Sequence, residues 1–179
     1  MKRLADVGEA FRAISARAEQ LCGAVGAEQM CRRRGIEGWS AAECLAHLAI
    51  SANVYTPVWR EAYDAAKQRG ARGGEPYRMD FMGRLLNWSL EPGRFRMRTP
   101  ARFQPVDCGS ADQALKAFLE SQRMVLSFIE EGAGMPLDRM MIVSPINAKI
   151  RYSVWSSLVV LATHGRRHLL QAELAGGIR

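Results

Sequence analysis

The chain has three histidines: His47, His164 and His168. The last two form H-x-x-x-H. On an α-helix, positions i and i+4 lie about 40° apart around the axis and ~6 Å apart along it, so both rings project from one face. Two imidazoles so placed can grip one divalent metal ion, as in the helical H-E-x-x-H zinc pair. The apolar stripe Val154, Leu158, Leu161 runs into them, so they point into a core rather than to water. His47 lies one turn past Glu43 on an earlier helical stretch. In an antiparallel bundle that stretch can meet the C-terminal half of the last helix. Three imidazoles would then face one point and leave a coordination position open. That is the ligand count of a catalytic site, whereas structural zinc sites use four protein ligands, mostly sulfur. The competing reading is three ordinary half-buried histidines, each hydrogen-bonded in the core.

Other groups could assist. Glu43, four residues before His47, could orient that ring or act as a general base. Its place in an S-x-x-E capping box with Ser40 accounts for it fully without either role. Gln171, three residues after His168, could hydrogen-bond a ligand histidine or a substrate, or simply sit on the helix surface. Cys44 could supply a ligand or a thiol, but free cysteine more often behaves as a small buried hydrophobe. Asn147 and Tyr152 precede the last helix and could line the mouth of a site there. Trp88 and Trp155 read as core or pocket wall.

The elements that must position these groups are helical. Val7, Phe11, Ile14, Ala18, Leu21 and Val25 form a first stripe at spacings of three and four. A second helix starts at the Ser40 cap and carries Leu45, Leu48, Ala52, Tyr55, Trp59 and Ala66, with a kink expected at Pro57. A short helix is expected over Phe81 to Leu90. The alternating run Arg94-Phe95-Arg96-Met97-Arg98 reads as extended, and Pro100 and Pro105 keep the next segment non-helical. A third long helix spans Ala111 to Glu131. The fourth begins at the Ser153 cap, runs to about Leu174 and stops at Gly176-Gly177. With no convincing strand pair, this is an all-α four-helix bundle, a single domain over residues 1–179, with long loops after its second and third helices.

Composition narrows the function classes. The 179 residues are 48% hydrophobic and 24% charged, an ordinary globular balance that excludes a disordered chain. Net charge is +7, and all but four of the 25 basic residues are arginine. These arginines are scattered. The strip Arg94, Arg96, Arg98, Arg102 with Phe95 and Phe103 reads as a solvated edge or the wall of an anion pocket, so a nucleic-acid partner is not expected. Cys22, Cys31, Cys44 and Cys108 contain no C-x-x-C, so neither a zinc ribbon nor a redox dithiol is signalled. No secretory leader pattern and no ~18-residue apolar run is present, so no membrane partner and a reduced, cytoplasmic location are expected.

Two segments resemble a known family. Gly38-Trp39-Ser40-Ala41-Ala42-Glu43-Cys44-Leu45-Ala46-His47-Leu48 is similar to the "W-S … E … H-L" opening of the second helix in the DinB/YfiT-like superfamily. Leu161-Ala162-Thr163-His164-Gly165-Arg166-Arg167-His168-Leu169-Leu170-Gln171 is similar to its "H-x-x-R-H-x-x-Q" closing helix, and Arg98 to Pro105 resembles its proline-flanked segment before the third helix. The resemblance implies an up-down-down-up bundle, often a homodimer, holding nickel, zinc or a related divalent ion on His47, His164 and His168. It implies a small-molecule substrate. Characterised relatives are S-transferases or isomerases that use bacillithiol, mycothiol or glutathione, with hydrolases as an alternative; a non-catalytic, stress-related metal-binding dimer is a third reading. Many members carry Glu directly after the first closing-helix histidine, where this chain has Gly165. Metal binding should survive that change, whereas a mechanism needing the carboxylate would not.

Overall fold

A computed structural model describes the chain apart from residues 34, 36, 37, 93, 95–98, 106–108 and 179. The extended run expected over Arg94 to Arg98, and Cys108, therefore lie largely outside the described residues. The described residues form seven α-helices: α1 (Leu4–Ala24), α2 (Ala27–Cys31), α3 (Ala41–Asn53), α4 (Thr56–Gln68), α5 (Phe81–Leu90), α6 (Ala111–Glu131) and α7 (Val154–Gly176). A 3-10 turn covers Ala101–Phe103, and a two-stranded antiparallel hairpin joins β1 (Met141–Val143) to β2 (Arg151–Ser153).

Local chemistry sets the boundaries. Ser40, Asp80, Ser110 and Ser153 each accept a hydrogen bond from the amide three residues on, which starts α3, α5, α6 and α7. At Ser40 and Ser110 the side chains of Glu43 and Gln113 reach back to the cap amide and close a capping box. Gly177 ends α7 at φ 86°, a left-handed position that a side chain would strain.

The single kinked helix expected from Ser40 to Ala66 is two helices, broken at Val54 and Tyr55. Pro57 is the cause. It has no N–H to give the carbonyl of Asn53 and its ring crowds that carbonyl, so the first helix ends. Pro57 then sits in the first turn of α4, where an N–H would have had no partner. The hairpin corrects the expectation of no strand pair: three residues per strand are too few to carry an alternating signature.

The long helices form a ring in which α1 and α3 each pack on both α6 and α7. Paired contacts give the directions. Ile14 lies by Gly165 and Arg17 pairs with Glu173 at 2.7 Å, so α1 and α7 run the same way. His47 meets His164 while Tyr55 meets Tyr152, so α3 runs against α7. Gly8 lies by Ile129, and Glu19 shares a groove with Leu119, so α1 runs against α6. The interior has two apolar clusters. One holds Trp59, Tyr63, Phe128 and Trp155; the other holds Leu21, Met30, Leu45 and Phe118. Along α3 the changeover falls between Leu48 and Ala52, and along α7 between Ala162 and Leu169. His47, His164 and His168 sit at that junction.

Candidate metal centre

Helices α3 and α7 bring the three histidines together. Their ring centroids are 5.1 Å apart for His47 and His164, and 4.5 Å apart for each of the other two pairs. One nitrogen from each ring lies within 4.8 Å of the other two. Nε2 of His47 and Nε2 of His164 are 3.2 Å apart. Two imidazole nitrogens at ~2.0–2.1 Å from a tetrahedral zinc would stand about 3.3 Å apart. That spacing fits a shared ion. The buried Nδ1 of His168 makes no hydrogen bond. Such an atom costs free energy unless a further group satisfies it, and a cation beside the ring is one such group. Among the described residues no carboxylate or thiol joins the cluster.

The orientation of His47 is set by backbone. Its Nδ1 lies 2.7 Å from the carbonyl oxygen of Phe103, which can only accept. Nδ1 therefore carries the proton and Nε2 presents its lone pair to the other two rings. Phe103 belongs to the 3-10 turn between Pro100 and Pro105, so the proline-flanked segment is what orients the His47 ring. The Trp39 ring packs 4.7 Å from His47 and 5.8 Å from His168 and walls the cluster on one side. Ser51, one turn after His47, places its hydroxyl 3.4 Å from Nε2.

Electrostatics keep all three rings neutral. Burial pushes the His47 imidazole below its ordinary value against the opposing hydrogen bond to Phe103. Burial, then the neighbouring His168 and His47 and the charge of Arg167, hold His164 well below. Burial, followed by His47 and Arg167, lowers His168 to about 3, with Gln171 opposing. At neutral pH each ring offers a lone pair without first losing a proton. Arg167, half-buried between the two α7 histidines in sequence, adds positive potential beside them.

The remaining candidates separate. Glu43 is buried, and its carboxylate binds the Arg33 guanidinium and the Ser40 amide. Burial would raise its pKa, but those hydrogen bonds more than offset it and leave the carboxyl below its usual range. Gln171 stands half-buried one turn beyond His168. Cys44 is buried, and burial followed by the charge of Glu43 pushes its thiol up to about 12. Tyr152 pairs with Tyr55 at 2.6 Å and Asn147 caps the hairpin turn through Lys149, so both serve the hairpin rather than the histidine cluster. Trp155 is fully buried, as expected, whereas Trp88 is 43% exposed and lies under the Arg94 guanidinium rather than in the core.

Trp39 and the Phe103 carbonyl were not singled out from the sequence. The Trp-Ser pair at the α3 cap was a usable signal for Trp39. A backbone carbonyl has no sequence signature.

Gly165 is buried, and a Cβ built there would lie 3.1 Å from Cδ1 of Ile14 on α1. This position faces the α1–α7 contact rather than the cluster, 100° around the helix from His164.

Comparison with curated proteins and with solved structures gives no match. The family model described as the DinB superfamily matches residues 10–172, most of the chain and all three clustered histidines. The bundle and its histidine cluster, with that match, place the chain in the DinB superfamily, and it belongs to that family.

Proposed function

We propose that this protein is a divalent-metal-dependent enzyme, most simply a thiol S-transferase that joins a low-molecular-weight thiol to an electrophilic small molecule. The observation that carries the reading is the convergence of three neutral imidazoles with no carboxylate among them. A divalent ion held by His47, His164 and His168, with zinc or nickel the metals of choice for imidazole, would supply positive charge that lowers the pKa of a thiol or water beside it. The protein's own residues do the rest. Phe103 fixes the His47 tautomer, and Trp39 shields one side of the cluster.

One feature favours a thiol over water. Among the described residues no carboxylate joins the cluster, and Glu43 is tied to Arg33. A thiol starts near pKa 8.5 and needs little help to ionise at neutral pH, whereas water starts at 15.7. Hydrolysis at the same site is the alternative reading. We take the chain as one domain over residues 1–179, acting as a cytoplasmic homodimer. Among the described residues no helix is long and apolar enough to cross a membrane.

Elemental mass spectrometry tests the foundation. Near-stoichiometric metal in tag-free protein, lost in the H47A/H164A/H168A variant, is expected. Metal-loaded protein should then conjugate a physiological thiol to an electrophile. Absence of metal after loading with zinc or nickel would remove the enzyme reading. Metal without any turnover would leave a non-catalytic metal-binding protein.

A further inference from the structure

The 3-10 turn that carries the Phe103 carbonyl is short, and a turn of three residues is weakly held by its own bonds. It has two: Phe103 N–H donates to Pro100 O at 2.9 Å and Gln104 N–H to Ala101 O at 3.0 Å. The buried Phe103 ring anchors it from inside, and Arg102 ties it to a second element. Nη2 of Arg102 donates to the carbonyls of Pro145 at 2.9 Å and Ile146 at 2.6 Å, at the tip of the β1–β2 hairpin. The guanidinium carbon also lies 5.0 Å from the centre of the Phe103 ring.

The hairpin tip is itself anchored. Ser144 accepts from the amides of Ile146 and Asn147, and the Tyr152 hydroxyl reaches Ser144 at 3.4 Å. Tyr152 then meets the Tyr55 hydroxyl at 2.6 Å, immediately past the end of α3. The bonds close a circuit. It leaves α3 at His47, crosses to Phe103, passes through Arg102 to the hairpin and returns beside α3 at Tyr55. The joints at His47, Phe103, Ser144, Tyr152 and Tyr55 are buried, whereas Arg102 and the hairpin tip at Ile146 are exposed. The exposed Arg102 side chain is replaceable without opening the core.

We propose that Arg102 is a positioning residue of the histidine cluster: by clamping the 3-10 turn to the hairpin tip it keeps the Phe103 carbonyl on Nδ1 of His47 and so fixes which nitrogen of His47 faces the other two rings. Its value for metal binding rests on the metal reading above; its effect on the ring does not. Outer partners of ligand histidines typically govern metal affinity by 10–100-fold.

The test uses Arg102→Met, which keeps an apolar stem over Phe103 but removes the donor, and Arg102→Lys, which restores donors. Long-range nitrogen–proton spectra of the histidine side chains, recorded on metal-free protein, report the tautomer. Zinc competition with a chromophoric chelator reports affinity. The parent should hold His47 with its proton on Nδ1. R102M should show a mixture of tautomers and bind zinc about tenfold or more weakly. R102K should return toward the parent in both readouts. Metal-free R102M should melt within a few degrees of the parent. An R102M protein that keeps the Nδ1–H tautomer and the parent's zinc affinity overturns the proposal, as does one that loses its cooperative melt, which would make Arg102 a fold residue. If the parent takes up no zinc, the metal reading fails, and the tautomer spectrum alone decides the role of Arg102.

Discussion

Adding a side chain at Gly165 tests the claim that this face of α7 belongs to α1. The nearest three atoms to a built Cβ are all from Ile14: Cδ1 at 3.1 Å, Cγ2 at 3.6 Å and Cγ1 at 3.9 Å. Ile14 is buried at 3% exposure, so it has little room to retreat. Gly165→Ala should gain about 1 kcal/mol in helix propensity. Against this stands an overpacking cost of about 1–3 kcal/mol in a dense core. The net expectation is a loss of roughly 0–2 kcal/mol. Ile14→Val removes the offending Cδ1 and should cost about 0.5–1.5 kcal/mol alone. In that background the next contact is the ordinary one at 3.6 Å, so Gly165→Ala should become stabilising by about 0.5–1 kcal/mol. The two changes therefore couple favourably by about 0.5–3 kcal/mol. Gly165→Glu should lose about 3 kcal/mol or more, because it forces an unpaired carboxylate into the α1–α7 contact. Urea unfolding of metal-free protein measures all four. Additive single and double variants, together with a G165E protein as stable as the parent, would refute the geometry. The carboxylate that resembling sequences carry at this position would then be free to reach the cluster.

Other outcomes follow from particular contacts. Gly83 of α5 lies so close to α7 that a Cβ would meet Ser156 Cβ and Oγ at 2.3 Å; Gly83→Ala should cost about 1–3 kcal/mol, read by chemical denaturation. Asp80 accepts from the Gly83 amide, the Ser153 amide and hydroxyl, and the Ser156 hydroxyl. Burial would raise its pKa, but these bonds more than offset it, so the folded carboxyl titrates below its ordinary value. The sign follows: the stability it contributes is present above an unfolded pKa of about 3.9 and is lost as pH falls through the lower folded value. Asp80→Asn should therefore destabilise by about 2 kcal/mol at pH 7 and by less in acid, checked by urea titrations at several pH values. Trp39 rests on the His47 and His168 rings, so nickel or copper uptake should quench a fluorescence component that Trp39→Phe removes; quenching unchanged in W39F would place the metal elsewhere.

Much of the site was legible because helical periodicity converts spacing into direction. His164 and His168 share a face at i and i+4, and the stripe before them says that the face is inward. The Ser40–Glu43 box and the Ser153 cap fixed where two of the relevant helices begin. The boundaries of α5 and α6 were legible for the same reason. Other features were hidden because they depend on partners distant in the chain. Whether Gly165 is a lost carboxylate or a close approach depends on which helix covers it, and Ile14 is 151 residues away in the sequence. The Phe103 carbonyl acts through backbone, which every residue has. The break between α3 and α4 was half-legible: Pro57 signalled a disturbance, but whether a helix kinks or restarts depends on the packing of Trp59 and Tyr63 beyond it.

The charge balance of the cluster carries one last expectation. Three neutral ligands would leave a divalent ion its full charge, and the buried carboxylate of Glu43, one turn from His47, is already neutralised by Arg33. An uncompensated charge in a largely buried site is costly, so an anion should accompany the ion. If that anion is the thiolate of the co-substrate, the two binding events are linked, and each must tighten the other by the same factor. Zinc affinity should therefore rise about tenfold in the presence of saturating thiol, and thiol affinity should rise by an equal factor in zinc-loaded protein over zinc-free protein. Titration calorimetry in both orders measures the two factors independently. A thiol that leaves zinc affinity unchanged, or strips the zinc from the protein, would show that its sulfur does not share the site, and the transferase reading would give way to hydrolysis or to a metal held without catalysis.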